Sequence, residues 1–117
     1  MKARRRLLAS LSLLASAALP APAQLPDSPL TFGAFVARFG SDGSFTLEGQ
    51  GWPAFKGTWK TAGEQVELAT SGGPAGCDAP GRYRFRLEGG RVSFALVSDG
   101  CTPRRMIVDR STWSPAG

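Results

Sequence analysis

The chain has 117 residues and a formal net charge of +5 at pH 7, with two cysteines and no histidine. The lack of histidine excludes Ser-His-Asp and Cys-His catalysis and every zinc site that uses histidine. Four of the 14 basic residues lie within the first six positions, so residues 24–117 carry 10 basic and 9 acidic residues. Because that part is nearly neutral, the charge gives no reason to expect nucleic acid as a partner.

Residues 1–23 have the three parts of a cleavable secretory signal peptide. Three arginines precede an apolar run at residues 7–19, and Ala21-Pro22-Ala23 supplies a small-residue cleavage site. The run is shorter than the roughly 20 residues that a membrane-spanning helix needs, so cleavage is favoured over a stable anchor. We therefore expect an exported protein, periplasmic or extracellular. The general export route is favoured, and the arginines leave a twin-arginine route as the alternative.

Residues 24–30 contain two prolines and are predicted to be a flexible lead-in. The segment 31–114 follows as one domain in which short alternating stretches are separated by glycine-rich turns. The 15 glycines and nine prolines argue against helices. This pattern predicts an all-β fold, an antiparallel meander of about seven strands that forms a small barrel or a strongly curled sheet.

Three hairpins account for most of the predicted strands. Their strands are residues 33–39 and 44–48, 55–61 and 64–70, and 82–88 and 91–98. Their turns are Ser41-Asp42-Gly43, Ala62-Gly63 and Gly89-Gly90. These turns set Phe39 opposite Phe45, Trp59 opposite Val66 and Phe85 opposite Phe94. In each hairpin the large apolar side chains then share one face, as a core requires.

Cys77 and Cys101 flank the third hairpin and are predicted to form a disulfide, because an exported chain folds in an oxidising compartment. They lie one residue out of the hairpin register, so a small irregularity would bring them together. A bridge closing about 25 residues is worth about 3–4 kcal/mol on the chain-entropy model.

A last strand is predicted at residues 105–109. It would carry Ile107 on one face and Met106 and Val108 on the other. Trp113 follows this strand and is expected to pack back on the sheet as a lid.

Three short segments also suggest a family. They are Gly57-Thr58-Trp59-Lys60, Gly81-Arg82-Tyr83-Arg84-Phe85 and Cys101-Thr102-Pro103-Arg104-Arg105. With these segments the chain resembles the small lipocalin-like, calycin-type β-barrel domains of secreted bacterial proteins, over roughly residues 31–114. The resemblance implies a barrel in which Trp59 and either Arg105 or Arg110 form a structural pair.

Four aromatic residues are candidates for ligand or partner contact: Trp52, Trp59, Tyr83 and Trp113. Trp59 and Tyr83 fall at inward positions, where filling the core is favoured over lining a ligand pocket. Trp52 and Trp113 lie outside the regular alternation and are the stronger candidates if they are exposed.

Charged residues give two weaker signals. Arg82, Arg84 and Arg86 alternate on one strand, which favours a solvated outer face and leaves an anion-binding stripe as the alternative. Asp78 and Asp99 are expected near each other beside the cysteines. Turn formation is favoured there, and the alternative is a calcium site or an acid/base pair.

These features favour an exported, non-enzymatic binding or accessory domain of the cell envelope, with a small hydrophobic ligand or an envelope protein as its partner. The alternative is a protein-interaction module with a fully packed barrel, such as an inhibitor or subunit of a secreted hydrolase. No catalytic residues, cofactor or metal are expected, because no constellation for them is visible.

Overall fold

The computed structural model of the protein describes residues 24–71 and 77–116, and the predicted signal peptide lies outside them. The described chain forms a closed barrel of eight antiparallel strands in sequence order. The strands are β1 (Leu30–Phe32), β2 (Phe35–Phe39), β3 (Ser44–Gly49), β4 (Phe55–Ala62), β5 (Gln65–Thr70), β6 (Gly81–Glu88), β7 (Arg91–Ser98) and β8 (Thr112–Pro115). The short helix α1 (Thr102–Val108) lies between β7 and β8. The predicted all-β meander is confirmed, with eight strands in place of about seven.

The strands alternate in direction, so their connections lie at two ends of the barrel. One end, which we call the α1 end, carries the β1–β2, β3–β4 and β5–β6 connections together with α1. The opposite end, which we call the hairpin end, carries the β2–β3, β4–β5 and β6–β7 turns. Among the described residues, no helix has the length and apolar content needed to cross a membrane.

The first hairpin has the predicted register, and the third has it from Tyr83 to the turn, beyond which a β-bulge pairs Arg82 with Ser98. Phe39 lies opposite Phe45 in the first hairpin, and Phe85 lies opposite Phe94 in the third. Gly43 closes the first turn at φ 89°, a conformation that side-chain-bearing residues rarely adopt. When the turn residues fit only one type of turn, that turn fixes which residues of the two strands lie opposite each other. The registers could therefore be predicted from the positions of the turn glycines.

The second hairpin is shifted by two residues from its predicted register. Trp59 lies opposite Leu68 rather than Val66. The cause is the turn, because Gly63, at φ 63°, is its first residue and not its second. A shift of two leaves each side chain on its predicted face, since strand side chains alternate with a period of two.

The strand predicted at residues 105–109 is wrong, since most of these residues belong to α1. Pro103 lies in the first turn of the helix, where the missing proline N–H is not needed. The helix buries Ile107 and Val108 and leaves Met106 exposed. A helix of seven residues is too short to show its period in the sequence.

The segment predicted as a flexible lead-in makes contacts with the barrel. Leu25 is buried in the core, and the Asp27 carboxylate accepts a hydrogen bond from the Ser41 N–H at 3.0 Å. Leu30 begins β1, which closes the barrel by pairing with β8.

The barrel interior is filled by side chains. Thirteen inward strand positions in the described part of the chain carry residues that are at most 7% exposed: Leu30, Ala37, Phe39, Phe45, Leu47, Phe55, Val66, Leu68, Tyr83, Phe85, Val92, Phe94 and Trp113. Three further residues on this face are more exposed, namely Trp59, Leu87 and Leu96. Trp113 is a strand residue of β8 inside this core, not a lid placed over it. An eight-stranded barrel has an interior about wide enough for its own side chains, and large residues occupy it here.

Candidate functional site

A buried polar cluster lies at the α1 end, formed by Arg104, Asp99, Tyr83 and Thr70. The Arg104 guanidinium donates from Nε and Nη2 to the two carboxylate oxygens of Asp99, at 2.8 and 2.7 Å. It also donates from Nη1 to the Thr70 hydroxyl and from Nη2 to the Ala79 carbonyl, each at 2.8 Å. This paired geometry is the strongest form of an arginine–carboxylate contact.

The carboxylate of Asp99 is fully engaged. Its Oδ2 also accepts from the Tyr83 hydroxyl, and its Oδ1 accepts from the Cys101 N–H at 2.8 Å. Burial by itself would raise the pKa of Asp99, but the hydrogen bonds from Arg104, Tyr83 and Cys101 outweigh it and hold the pKa below its usual value. Burial, and next the hydrogen bond to Asp99, raise the pKa of Tyr83.

Two of the segments that carry the family resemblance meet in this cluster. Gly81 and Tyr83 come from one segment, and Cys101 and Arg104 come from the other. A Cβ at residue 81 would collide with the Asp99 carboxylate, so glycine is needed there. Cys101 forms the predicted disulfide with Cys77, and both cysteines are fully buried. The cluster and the disulfide together join α1 to residues 77–80, which precede β6, at this end of the barrel.

The alternative of a calcium site or an acid/base pair at Asp78 and Asp99 does not fit this geometry. Each Asp99 oxygen already accepts two hydrogen bonds, so no lone pair is left for a metal or a substrate proton. Asp78 is exposed to solvent. Within residues 24–71 and 77–116, no group of three or more potential ligands is placed to hold a metal ion. The cluster is therefore a structural element of the barrel.

An aromatic surface also lies at the α1 end, and we define it as Phe32, Phe35 and Trp52. The ring of Phe32 lies 5.4 Å from the buried ring of Trp113, and the rings of Phe32 and Phe35 are stacked at 6.4 Å between centroids. The Trp52 ring packs edge-on against Phe35 at 5.6 Å. Trp52 and Phe32 are each 37% exposed, so the row runs from the core to solvent.

Local sequence explains how this surface is held. Phe35 lies opposite Gly49, and a Cβ at residue 49 would collide with the Phe35 ring. Gly51 has φ 83° and turns the β3–β4 connection back, and the Trp52 N–H donates to the Gly49 carbonyl at 3.0 Å. The two glycines thus place Trp52 against the ring of Phe35.

A groove of about 530 Å³ lies beside Trp52 on the outside of the barrel. Its lining includes both apolar and polar residues: Ala34, Val36, Glu48, Gly49, Gln50, Trp52 and Ala54. Val36 is 41% exposed within it. Glu48 is its single charged residue, and it forms no ion pair in the described part of the chain. The groove therefore offers a mixed apolar and acidic contact next to the aromatic surface.

Of the four aromatic contact candidates, Trp52 is the one that is exposed, at 37%. Tyr83 and Trp113 are buried, and the Trp113 indole donates to the Ser111 hydroxyl at 2.6 Å. Trp59 is half-buried. Its indole donates to the Gly40 carbonyl at 2.8 Å.

The arginine pairing that the resemblance implies for Trp59 differs from the contacts found. Trp59 packs edge-on against Phe39 near the hairpin end. Arg105 lies at the α1 end, where it donates to the Asp99 carbonyl at 3.1 Å. The neighbouring Arg104, and not Arg105, is the arginine that forms the buried ion pair with Asp99.

The predicted arginine stripe divides into two parts. Arg82 contacts Glu67 at 3.1 Å, and Lys60 contacts the same carboxylate at 3.7 Å from the other side. Arg84 and Arg86 point outward from β6 and are exposed. No ion pair involves either of them in the part of the chain that the structure describes.

Arg104 was not identified from the sequence, because two consecutive arginines are normally exposed on the surface of a protein. The available signal was the combination of a glycine two residues before Tyr83 with an aspartate between the third hairpin and Cys101. That pattern places a hydroxyl and a carboxylate where a buried cation can be paired.

Comparisons with models of protein families, with curated proteins and with solved structures find no match to this chain. The general shape is that of a small closed antiparallel eight-stranded barrel, as in lipocalin-like domains.

Proposed function

We propose that this chain is an exported, non-enzymatic accessory domain of the cell envelope, lipocalin-like in build, that binds another protein through its aromatic surface. The main support is the difference in solvent exposure between Trp113, which contacts Phe32 in the aromatic surface, and Trp52, which belongs to that surface. The barrel interior is packed to Trp113, which is 1% exposed, whereas Trp52 is 37% exposed. A filled interior favours contact on the outside of the barrel over a ligand held within it.

The composition of the aromatic surface supports a protein as the partner. Tryptophan and phenylalanine are enriched at the centres of protein interfaces, where one anchoring ring is surrounded by less energetic contacts. Trp52 is such a ring, and its contact with Phe35 limits the freedom that binding would have to remove. The adjoining groove, with Val36 and Glu48, provides the surrounding contacts.

Two further observations support export and the lack of catalysis. The buried Cys77–Cys101 disulfide is compatible with an oxidising compartment outside the cytoplasm. The buried Asp99 carboxylate is tied up by Arg104 and has no access to a substrate. This supports a domain whose buried charges maintain the fold.

Site-specific crosslinking tests the proposed function. A photoreactive phenylalanine derivative replaces Gln50, which lines the groove, in cells that export the protein. We expect one discrete crosslinked protein, and we expect Trp52→Ser in the same chain to abolish it. The partner, once purified, should bind the wild-type domain and lose at least about 30-fold in affinity with Trp52→Ser, as for an interface anchor.

The matched control carries the same photoreactive residue at Thr58, which is exposed on β4 outside the aromatic surface. Equal crosslinking from Thr58 and Gln50 would contradict the proposed surface. Saturable one-to-one uptake of an apolar dye, blocked by enlarging an inward residue such as Ala37→Leu, would instead establish a ligand inside the barrel.

A further inference from the structure

We propose that Arg84 and Arg86 form an anion-binding site on the outer face of the β6–β7 hairpin, selective for an oxyanion group such as phosphate. This site is separate from the aromatic surface. It lies toward the hairpin end, whereas the aromatic surface lies at the α1 end. The two proposals can therefore fail independently.

The geometry of the outer face creates a niche between the two arginines. Arg84 lies opposite Ala95 and Arg86 lies opposite Ser93 across the hairpin. Two long side chains therefore stand beside two short ones, and the groove that they share has a volume of about 240 Å³. Two guanidinium groups in such a place can donate several hydrogen bonds to one oxyanion.

A hydroxyl group adds to the niche. The Ser93 and Thr112 hydroxyls lie 3.0 Å apart and share one hydrogen bond. A pair of hydroxyls has two protons, and the shared bond uses one of them. When Thr112 is the donor of that bond, the proton of Ser93, which lines the groove, remains to donate to a bound anion. Oxyanions with several acceptor oxygens suit this combination of two cations and one hydroxyl.

The neighbouring Arg82 shows why the site is limited to two of the three arginines. Glu67 lies opposite Arg82 and neutralises it at 3.1 Å. Arg84 lies opposite the uncharged Gln65 instead. β5 begins at Gln65, which is paired with Arg84. Arg86 lies beyond this end of β5, so no residue of β5 faces it.

Glu64 is the one acidic residue that lines the groove. It forms no ion pair in the described ranges, and its carbonyl accepts a hydrogen bond from the Phe85 N–H at 2.9 Å, which places Glu64 beside the strand position between the two arginines. Its negative charge weakens the attraction for an anion. Removing that charge should therefore strengthen anion binding. An ordinary solvated surface without a binding site would show no such effect of one residue.

Titration with inorganic phosphate, followed by the NMR signals of the arginine Nε–H groups, tests the site. We expect saturable shifts for Arg84 and Arg86 and none for Arg82. Arg84→Gln with Arg86→Gln should weaken phosphate binding by about tenfold or more, since each charged hydrogen bond contributes substantially. Glu64→Gln should strengthen it about two- to threefold.

The matched control is Arg82→Gln, on the same strand and face, which should change phosphate affinity less than about twofold because Arg82 is already paired. Equal effects of Arg82→Gln and the double variant, or no saturation at tens of millimolar phosphate, would overturn the site. Melting temperatures should match in all variants, because the changed side chains are exposed.

Vesicles distinguish the source of the anion. Co-sedimentation with phosphatidylglycerol vesicles that requires Arg84 and Arg86 would assign the site to a lipid head group. Phosphate binding without such co-sedimentation would assign it to a free or small-molecule anion. Vesicles of phosphatidylcholine alone serve as the neutral surface.

Discussion

Arg104 and Asp99 have no exposed side-chain surface, and each is paired by the other. Removing charges from water is costly, so such a pair stabilises a fold only when the remaining polar atoms are also bonded. Thr70 and Ala79 accept further hydrogen bonds from the guanidinium, and Tyr83 donates one to the carboxylate. The cluster makes the barrel dependent on one aspartate.

Replacing that aspartate tests the dependence. Asp99→Asn leaves Arg104 as a buried cation without its counter-ion, and we expect the free energy of unfolding to fall by about 3–5 kcal/mol. Urea unfolding followed by tryptophan fluorescence measures the change. Asp78→Asn, at an exposed carboxylate, should change it by less than about 0.5 kcal/mol.

A double variant shows whether the loss comes from the unpaired charge. Asp99→Leu with Arg104→Met replaces the pair by apolar side chains and should recover a large part of the stability lost in Asp99→Asn. If Asp99→Asn unfolds at the same urea concentration as the wild type, the ion pair does not stabilise the barrel.

At the scale of elements, turn chemistry determined which parts of the barrel could be predicted. The Gly89-Gly90 turn allowed one register for the third hairpin, and the structure has it as far as Tyr83, where a β-bulge interrupts it. Gly63 allowed two placements in the second turn, so only the faces of the strands were predicted correctly. β1 has three residues and follows two prolines, too little for an alternating pattern to appear.

The candidate site was less predictable than the strands. Trp52 was identified because it breaks the alternation between two predicted strands. Its neighbours Phe35 and Phe32 come from β2 and β1, and the β2–β3 and β1–β2 pairings bring them to it. Arg104 required knowledge of α1, whose two turns look like a short β segment in the sequence.

The disulfide is the element-scale feature with the clearest expected effect. Cys77 and Cys101 are 24 positions apart, so losing the bridge should cost about 3–4 kcal/mol through the freedom regained by the unfolded chain. We expect a melting temperature lower by more than about 10 °C for Cys77→Ala with Cys101→Ala, in a domain of this size.

Chemical reduction of the wild type should reproduce this shift, and calorimetry in the presence and absence of a reductant measures it. Reductant added to the double variant is the control, because no bridge remains to be broken. A wild-type melt that is unaffected by complete reduction would contradict the predicted contribution.

At the scale of the whole molecule, Tyr83 reports on the integrity of the barrel. It is the single tyrosine of the chain and is fully buried. Its pKa is raised in the folded state, first by burial and then by Asp99. Stability from the neutral phenol is therefore complete below a pH of about 10, where a free tyrosine ionises, and is lost as the pH rises above it.

Alkaline titration should accordingly show phenolate formation and unfolding as one event. We expect the absorbance at about 295 nm, where phenolate absorbs, to rise only together with the loss of the β-sheet circular dichroism signal. Tyr83→Phe should retain more of its neutral-pH stability under the same alkaline conditions. Phenolate that forms near pH 10 while the sheet signal is intact would contradict the burial of Tyr83.

The closure of the barrel has a consequence for how the domain is made. β1 pairs with β8, with Leu30 opposite Pro115, so the first strand of the barrel cannot complete its hydrogen bonds until the last strand is in place. The intervening hairpins pair between neighbours in the chain and can form as they emerge. Until β8 is in place the sheet is open, with two free edges, and we expect partly folded chains to be most prone to associate at this stage.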